Sequence, residues 1–289
     1  MTNLLGEKLK CNLESAAAEF NGVLGVSVKD VVSSEEFNVN EGEIFPVGSS
    51  IKIPILIELF RKAKAGTVDL DETITVHEKD KARGSGVLKE LGNGTVSMTL
   101  LDLATLMIIV SDNTATNMLI DAIKMAEVNA MIKRLGLKEM KLQRKMLDYV
   151  AASKGLENLS TPKEFMRMMD ILYTKNGLDP WACEQTLAIL KKPKMGTIAR
   201  GLPLGIELAN KPGGIEGVSC DVGIVYQPNR PYIIVLMAKN IPPSDAKKLR
   251  ATEQMSQVSS MVYEYFSTKS TATTYGRNIP EEELRNKIF

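Results

Sequence analysis

The sequence predicts an α/β chain of the α+β type. An antiparallel five-stranded sheet is flanked by the terminal helices, and an all-helical unit is inserted into it. Three observations carry that expectation. Strand-like runs lie near both ends of the chain. Stretches of helical period dominate the middle. After Pro193 the pattern shifts to short runs punctuated by Gly196, Gly201, Gly205, Gly213, Gly214, Gly217 and Gly223. The compact solution is one sheet assembled from both termini with helices on its faces. The expected sheet unit is 1–47 plus 194–289, with 268–289 a loose Thr-, Ser- and Glu-rich tail. The helical unit is 48–193.

Residues 7–20 form an amphipathic helix with Leu9, Leu13, Ala16, Ala17 and Phe20 on one stripe, closed by Gly22. Residues 23–30 and 36–40 are two strands joined by a polar turn. A helix starting at Ser49 and ending near Gly66 is apolar on nearly every side after Lys52, so it is buried all round. Residues 67–98 mix strand-like pieces, a charged loop and the breakers Gly84-Ser85-Gly86 and Gly92-Asn93-Gly94. Thr99 caps a helix that runs to Val110, with Asp102 in its first turn. Helical period returns from Thr114 to about Leu135 and stops at Gly136. Residues 137–161 are weakly patterned. Pro162 opens a further helix at its first position, and another spans 181–190. Residues 218–226 and 232–238 are the strongest strands, split by a Pro228-Asn229-Arg230-Pro231 turn. A last helix runs from Ser244 to Phe266.

Composition excludes several classes of function. The 289 residues carry 36 Lys+Arg against 35 Asp+Glu, so no basic face for nucleic acid or anionic membrane is expected. No apolar run approaches the roughly 20 residues of a membrane span. The first ten residues lack the basic-then-apolar layout of a signal peptide, so the chain as written is expected to be cytoplasmic; a leader absent from this sequence would change that. Cys11, Cys183 and Cys220 have neither metal nor redox spacing and read as free thiols. His77 is the single histidine, at the edge of a charged loop. No metal or cofactor is expected, and a serine hydrolase here has to use lysine as its base.

One stretch supplies that pair. In Gly48-Ser49-Ser50-Ile51-Lys52 a hydroxyl and an amine stand three residues apart, on one helix face. The helix dipole and partial burial both favour the neutral amine, which can take a proton from the serine. The plain alternative is a capping serine followed by a surface lysine. Two more motifs follow in order: Ser111-Asp112-Asn113, and Lys211-Pro212-Gly213 ahead of the 218–226 strand. Each alone is weak. A second S-x-x-K, Ser244-Asp245-Ala246-Lys247, reads as an ordinary helix cap. The set S-x-x-K, S-D-N and K-x-G, in that order, is specific.

On these motifs the chain resembles the class A β-lactamase-like serine hydrolases of the penicillin-recognising superfamily, from about residue 15 to 266. The resemblance implies a sheet domain and a helical domain with the site in the crevice between them. It implies Ser49 as nucleophile, Lys52 as base in acylation, Ser111 as proton relay and Lys211 as the group that holds Ser111. The oxyanion hole comes from the backbone N–H groups of Ser49 and Gly214. Asn113, Gly213, Gly214 and Ile215 bind substrate. That substrate is a small β-lactam, or an ester or amide; the oligomeric state is left open.

The chain also departs from the family. Arg144 matches the loop arginine, so Met146 falls where the deacylating glutamate stands, and Val150 where an asparagine stands. The acid that pairs with the arginine corresponds to Asn158, with Glu157 beside it as a substitute. Asp148 is the nearest carboxylate that could replace the lost base. Pro212 replaces a hydroxyl residue that helps bind the substrate carboxylate, and Cys220-Asp221-Val222 supply no arginine. The expectation is a β-lactam hydrolase with slow deacylation. The alternatives are an esterase, amidase or D-amino-acid peptidase on the same scaffold, or a covalent β-lactam sensor.

Overall fold

The computed structural model describes residues 4–92, 95–273 and 276–277. Five strands form the main sheet: β1 Val23–Asp30, β2 Glu36–Val39, β7 Leu208–Ile215, β8 Val218–Val225 and β9 Tyr232–Lys239. Shorter strands β3 Phe45–Pro46, β4 Thr73–Val76, β5 Val96–Thr99 and β6 Leu159–Ser160 pair outside it. The sheet order is β2-β1-β9-β8-β7, antiparallel throughout, so β7 is an edge. Both ends of the chain build it, with Val23 opposite Lys239 and Asp30 opposite Tyr232.

Pleating sends alternate side chains to opposite faces. Both faces of this sheet are covered, so β9 is apolar throughout rather than alternating. Ile233, Val235 and Met237 point to the helical side; Tyr232, Ile234, Leu236 and Ala238 point to the other. On that outer side lie α1 (Leu4–Ala18), with Leu9 and Leu13, and α10 (Asp245–Thr271), with Met255, Val258 and Phe266. Phe266 stacks on Tyr232 at 4.3 Å.

The inner core is organised around α2 (Lys52–Lys64), whose residues 52–60 are all buried. Around it are α3 (Leu100–Ile109), α4 (Asn113–Ile123), α5 (Met125–Arg134), α7 (Pro162–Thr174) and α8 (Pro180–Leu190). Two short helices, α6 (Tyr149–Ser153) and α9 (Thr197–Arg200), complete the set. The caps follow the sequence: Thr99 accepts from Asp102 N, and Thr161 from Glu164 N. Ser244 Oγ accepts from Lys247 N, so the second S-x-x-K is an ordinary cap. Among the described residues no helix is long and apolar enough to cross a membrane.

Three elements differ from expectation. The helix expected from Thr114 to Leu135 is two, α4 and α5, broken at Lys124 with φ 71°. A left-handed lysine leaves no trace in composition. The Ser49 helix begins as a 3₁₀ turn, Gly48–Ile51, so Lys52 and not Ser49 is the first α-helical residue. The last helix runs past Phe266 to Thr271, and Ala272–Thr273 (β10) pairs with Gly276–Arg277 (β11). Residues 268–273 and 276–277 are therefore not a loose tail. Lys269 ties the helix end to Glu35 and to buried Asp30 at the β1–β2 turn. Asn93 and Gly94 of the second breaker, and 274–275 and 278–289 of the expected tail, lie outside the described residues.

Candidate active site

The 3₁₀ turn that carries Ser49 is wedged against edge strand β7. A Cβ on Gly213 would lie 2.5 Å from Val47 O and 2.6 Å from Ser50 N, so only glycine permits this approach. Ser50 Oγ donates to Lys211 O at 3.0 Å and fixes the contact. A Cβ on Gly48, whose φ is 49°, would likewise lie 2.6 Å from Gly214 N. From behind, β3 pairs with β6, and Val47 N donates to Asn158 O at 3.0 Å. The nucleophile segment is thus held between the sheet edge and the stem of the 144–158 loop.

Ser49 lines a cleft of about 440 Å³, together with Asn113, Gly214 and Ile215. Ser49 and Gly214 stand here in the first turn of a helix and in the edge strand β7. The first amides of a helix have no partner within it, so Ser49 N–H is suited to an oxyanion.

Lys52 is completely buried. Its Nζ lies 2.8 Å from Ser111 O, 3.1 Å from Ser111 Oγ and 3.0 Å from Asn113 Oδ1. Ser111 reaches it with both oxygens because its backbone is left-handed, at φ 54°. Burial drives the Lys52 pKa well below the ordinary lysine range; the Lys211 charge lowers it further and Asp112 opposes the shift. A neutral amine has two N–H donors and one lone pair. The two carbonyl-type oxygens take the donors, and the Ser111 hydroxyl can donate to the lone pair. The three contacts thus satisfy an uncharged lysine.

Asp112, between the motif's two polar residues, is structural. Buried, it caps α4 through Ala115 N and accepts from Val87 N and Leu88 N, which draws the 83–88 loop over the site. Asn113 Nδ2 donates to Arg83 O at 3.0 Å. One amide proton remains for a substrate carbonyl.

A model of the beta-lactamase enzyme family matches residues 8–266. The chain belongs to that family. It is 26% identical to Beta-lactamase BRO-1 of Moraxella catarrhalis over 91% of this chain and 86% of that protein. The crystal structure of a beta-lactamase from Sphaerobacter thermophilus is 29% identical, with a TM-score of 0.77, covering 91% of this chain and 98% of that one. A mutant of PBP-A, solved as an acyl-enzyme complex with penicillin-G, is 29% identical, with a TM-score of 0.78 over 91% and 96% of the two chains.

Within this beta-lactamase fold, several expected site residues stand elsewhere. Among the described residues Lys211 makes no hydrogen bond to Ser111: its Nζ donates to Pro212 O at 2.6 Å, and the side chain is buried. Burial brings its pKa down to about 7; Asp221 opposes that and Lys194 adds to it. Gly213 does not line the cleft, because its Cα faces Val47 and Ser50. Among the described residues no hydrogen bond joins Lys52 to Ser49; the amine's contacts are Ser111 O, Ser111 Oγ and Asn113 Oδ1. Asp148 is not a cleft carboxylate either. Its Oδ1 accepts from Ala151 N at 2.9 Å and caps α6.

The cleft wall opposite β7 is the 144–158 loop. Met146 lines it where the family's glutamate stands. Arg144 pairs with Glu157 Oε2 through Nε at 3.1 Å and Nη2 at 2.8 Å, so Glu157 is the arginine's partner. Asn158 accepts from Gln143 N and Arg144 N and donates to Arg144 O. Sequence reasoning missed Tyr149 and Glu216, which line the cleft, and Asn117, which grips Met146. Only Asn117 left a signal, four residues beyond the Ser111-Asp112-Asn113 motif in the run Thr114-Ala115-Thr116-Asn117.

Proposed function

We propose that this chain is a serine hydrolase that opens β-lactam amides through an acyl-enzyme on Ser49. The observation that carries the reading is buried Lys52, held between Ser111 and Asn113 beside the cleft that Ser49 lines. Ser49 Oγ attacks the lactam carbonyl carbon, and its proton passes to the Lys52–Ser111 pair. The C–N bond breaks, and the nitrogen leaves with a proton from Ser111 Oγ, which Lys52 restores. The N–H groups of Ser49 and Gly214 receive the oxyanion, each such donor being worth about 10²–10³ in rate. The names of the relatives, beta-lactamases and a penicillin acyl-enzyme, support the same chemistry.

Release of the acyl group requires a base for water. Met146 offers none, Asp148 caps a helix, Glu157 is committed to Arg144, and Glu216 stands exposed in the turn between β7 and β8. A positioned base is worth about 10²–10⁴ in rate, so deacylation is the slow step and the acyl-enzyme accumulates. In the limit of no release the protein acts as a covalent β-lactam sensor. Intact-mass measurement after mixing with a penicillin tests the proposal. Wild type gains the mass of one antibiotic and loses it slowly, while Ser49→Ala gains nothing. An unmodified wild type, or an adduct on Ser49→Ala, refutes it.

A second substrate class, neutral esters and amides, is favoured by the strand side. Pro212 has no hydroxyl for a substrate carboxylate, and the Lys211 ammonium is turned to Pro212 O. An esterase, amidase or D-amino-acid peptidase needs no anionic end there. A kcat/KM for a neutral p-nitrophenyl ester above that for a penicillin supports this reading; the reverse order rejects it.

A further inference from the structure

The outer helix α10 packs on the sheet through Ala251, Met255, Val258, Val262 and Phe266. Another side of it carries Leu249, Glu253, Ser256, Ser260 and Tyr263. These are spaced by three and four residues, so they form one stripe along the helix. The stripe and the 200–203 segment after α9 are the two walls of a groove of about 650 Å³. The walls are partly apolar: Leu249 is 59% exposed, and Leu202 and Tyr263 are half-buried. Their charges are open too. Among the described residues Arg200, Glu253 and Glu264 make no ion pair. An apolar strip with unpaired charges of both signs suits a covering chain segment that carries the same three elements.

Residues 278–289 are such a segment. Ile279, Leu284, Ile288 and Phe289 are apolar, Glu281, Glu282 and Glu283 acidic, and Arg285 and Lys287 basic. The antiparallel pairing of β10 with β11 turns the chain back on itself directly after α10. Led back along the helix in extended form, the segment matches the groove in order. Glu283 reaches about 20 Å past Arg277 at about 3.3 Å per residue. Arg200 adjoins Gly201, whose Cβ would touch Ser256 O and Ser260 N, about 16–23 Å back from Thr271 along the helix. Arg285 reaches about 26 Å, and Glu253 lies about 27 Å back. Ile288 and Phe289 reach about 36–40 Å, past Leu249 at about 33 Å. Glu264 stands at the end of the groove nearer Thr271, where the uncharged Asn278-Ile279-Pro280 enters. Tethering favours this occupant over a free one, because a short linker holds a segment at millimolar effective concentration.

We infer that residues 278–289 dock in extended form in the groove between α10 and the 200–203 segment of the same chain, with Glu281, Glu282 and Glu283 facing Arg200, and Arg285 and Lys287 facing Glu253. The inference does not depend on the chemistry at Ser49. Thiol footprinting tests it. Ser260→Cys in a Cys11→Ser background places one accessible thiol in the groove, since Cys183 and Cys220 are buried. Its rate of modification by a maleimide is compared in the full chain and in a chain truncated after Arg277. Docking slows the full chain by about 2–10-fold, the ratio of a millimolar effective concentration to a submillimolar dissociation constant. The synthetic 278–289 peptide returns the protection to the truncated chain. In the full chain, Glu281→Lys, Glu282→Lys and Glu283→Lys together remove the protection, and Arg200→Glu added to them restores it. Val150→Cys, 67% exposed on α6, is the control and reacts at one rate throughout. Equal rates at position 260 in the full and truncated chains overturn the inference. Protection that fades on dilution also overturns it and assigns the groove to a second copy of the chain. Where truncation unfolds the protein, the charge-reversed full chain decides: protection that survives the three lysines rejects the docking.

Discussion

Met146 and Asn117 hold each other at both polar ends: Met146 N donates to Asn117 Oδ1 at 2.8 Å, and Asn117 Nδ2 donates to Met146 O at 3.2 Å. The backbone at 146 is therefore fixed at the cleft while its side chain contributes only hydrocarbon. A carboxylate introduced there acquires a set position. Met146→Glu is expected to raise the deacylation rate by about 10²–10⁴ with little change in acylation. Burst kinetics with a chromogenic cephalosporin read both: the wild-type burst shrinks or vanishes in the variant. A wild type that turns over linearly without a burst contradicts the slow-release reading.

Asp148 separates capping from catalysis. Its carboxylate caps the five-residue α6. Asp148→Ala is expected to cost about 1 kcal/mol, the usual loss of a cap, and to leave the lifetime of the acyl-enzyme as it was. Thermal melting and the decay of the penicillin adduct measure the two effects. A lengthened adduct lifetime restores Asp148 as a base.

The pH dependence of acylation follows from the two buried lysines. Acylation needs Lys52 uncharged, so its rate falls as pH drops through the Lys52 pKa. The Lys211 charge lowers that pKa. Removing it in Lys211→Met lets the Lys52 pKa rise, so the acid limb moves to higher pH. Lys211 itself titrates at about 7, and its field weakens above that pH in wild type. Stopped-flow acylation across pH in both proteins shows the displacement; an acid limb at the same pH, or lower, argues against coupling.

Gly213 tests the contact between strand and nucleophile turn. A methyl there meets Val47 O, Ser50 N and Ser50 Oγ, the last at 2.7 Å. Two of those atoms are backbone, so the turn has to move. Gly213→Ala is expected to destabilise by about 1–3 kcal/mol and to slow acylation. Gly42→Ala, with nothing within 4 Å of the added carbon, is the control, within about 0.5 kcal/mol of wild type. Chemical denaturation of both variants decides the matter.

What the sequence revealed and what it hid divide along a physical line. The sheet and helices were legible because β9, α2 and α10 carry their burial pattern in consecutive residues. The motifs at 49–52, 111–113 and 211–213 were legible because each is short and contiguous. The destinations of long side chains were not. Lys211 turns to its own neighbour's carbonyl, and Lys52 to Ser111 and Asn113, through contacts the chain makes only after folding. The left-handed backbones of Ser111, Lys124 and Leu147 likewise have no marker in residue type. In the 144–158 loop, hydrophobic period says nothing of whether Asp148 caps a helix or faces the cleft.

The pairing of Val23–Asp30 with Tyr232–Lys239 has a consequence for synthesis. The first strand meets β2 at once but leaves the ribosome long before its other neighbour, β9, exists. At about 5–20 residues per second, it waits on the order of ten to forty seconds, its apolar edge unpaired. Over that interval the nascent chain is a natural client for holding chaperones, and the emergence of Tyr232–Lys239 is what releases it.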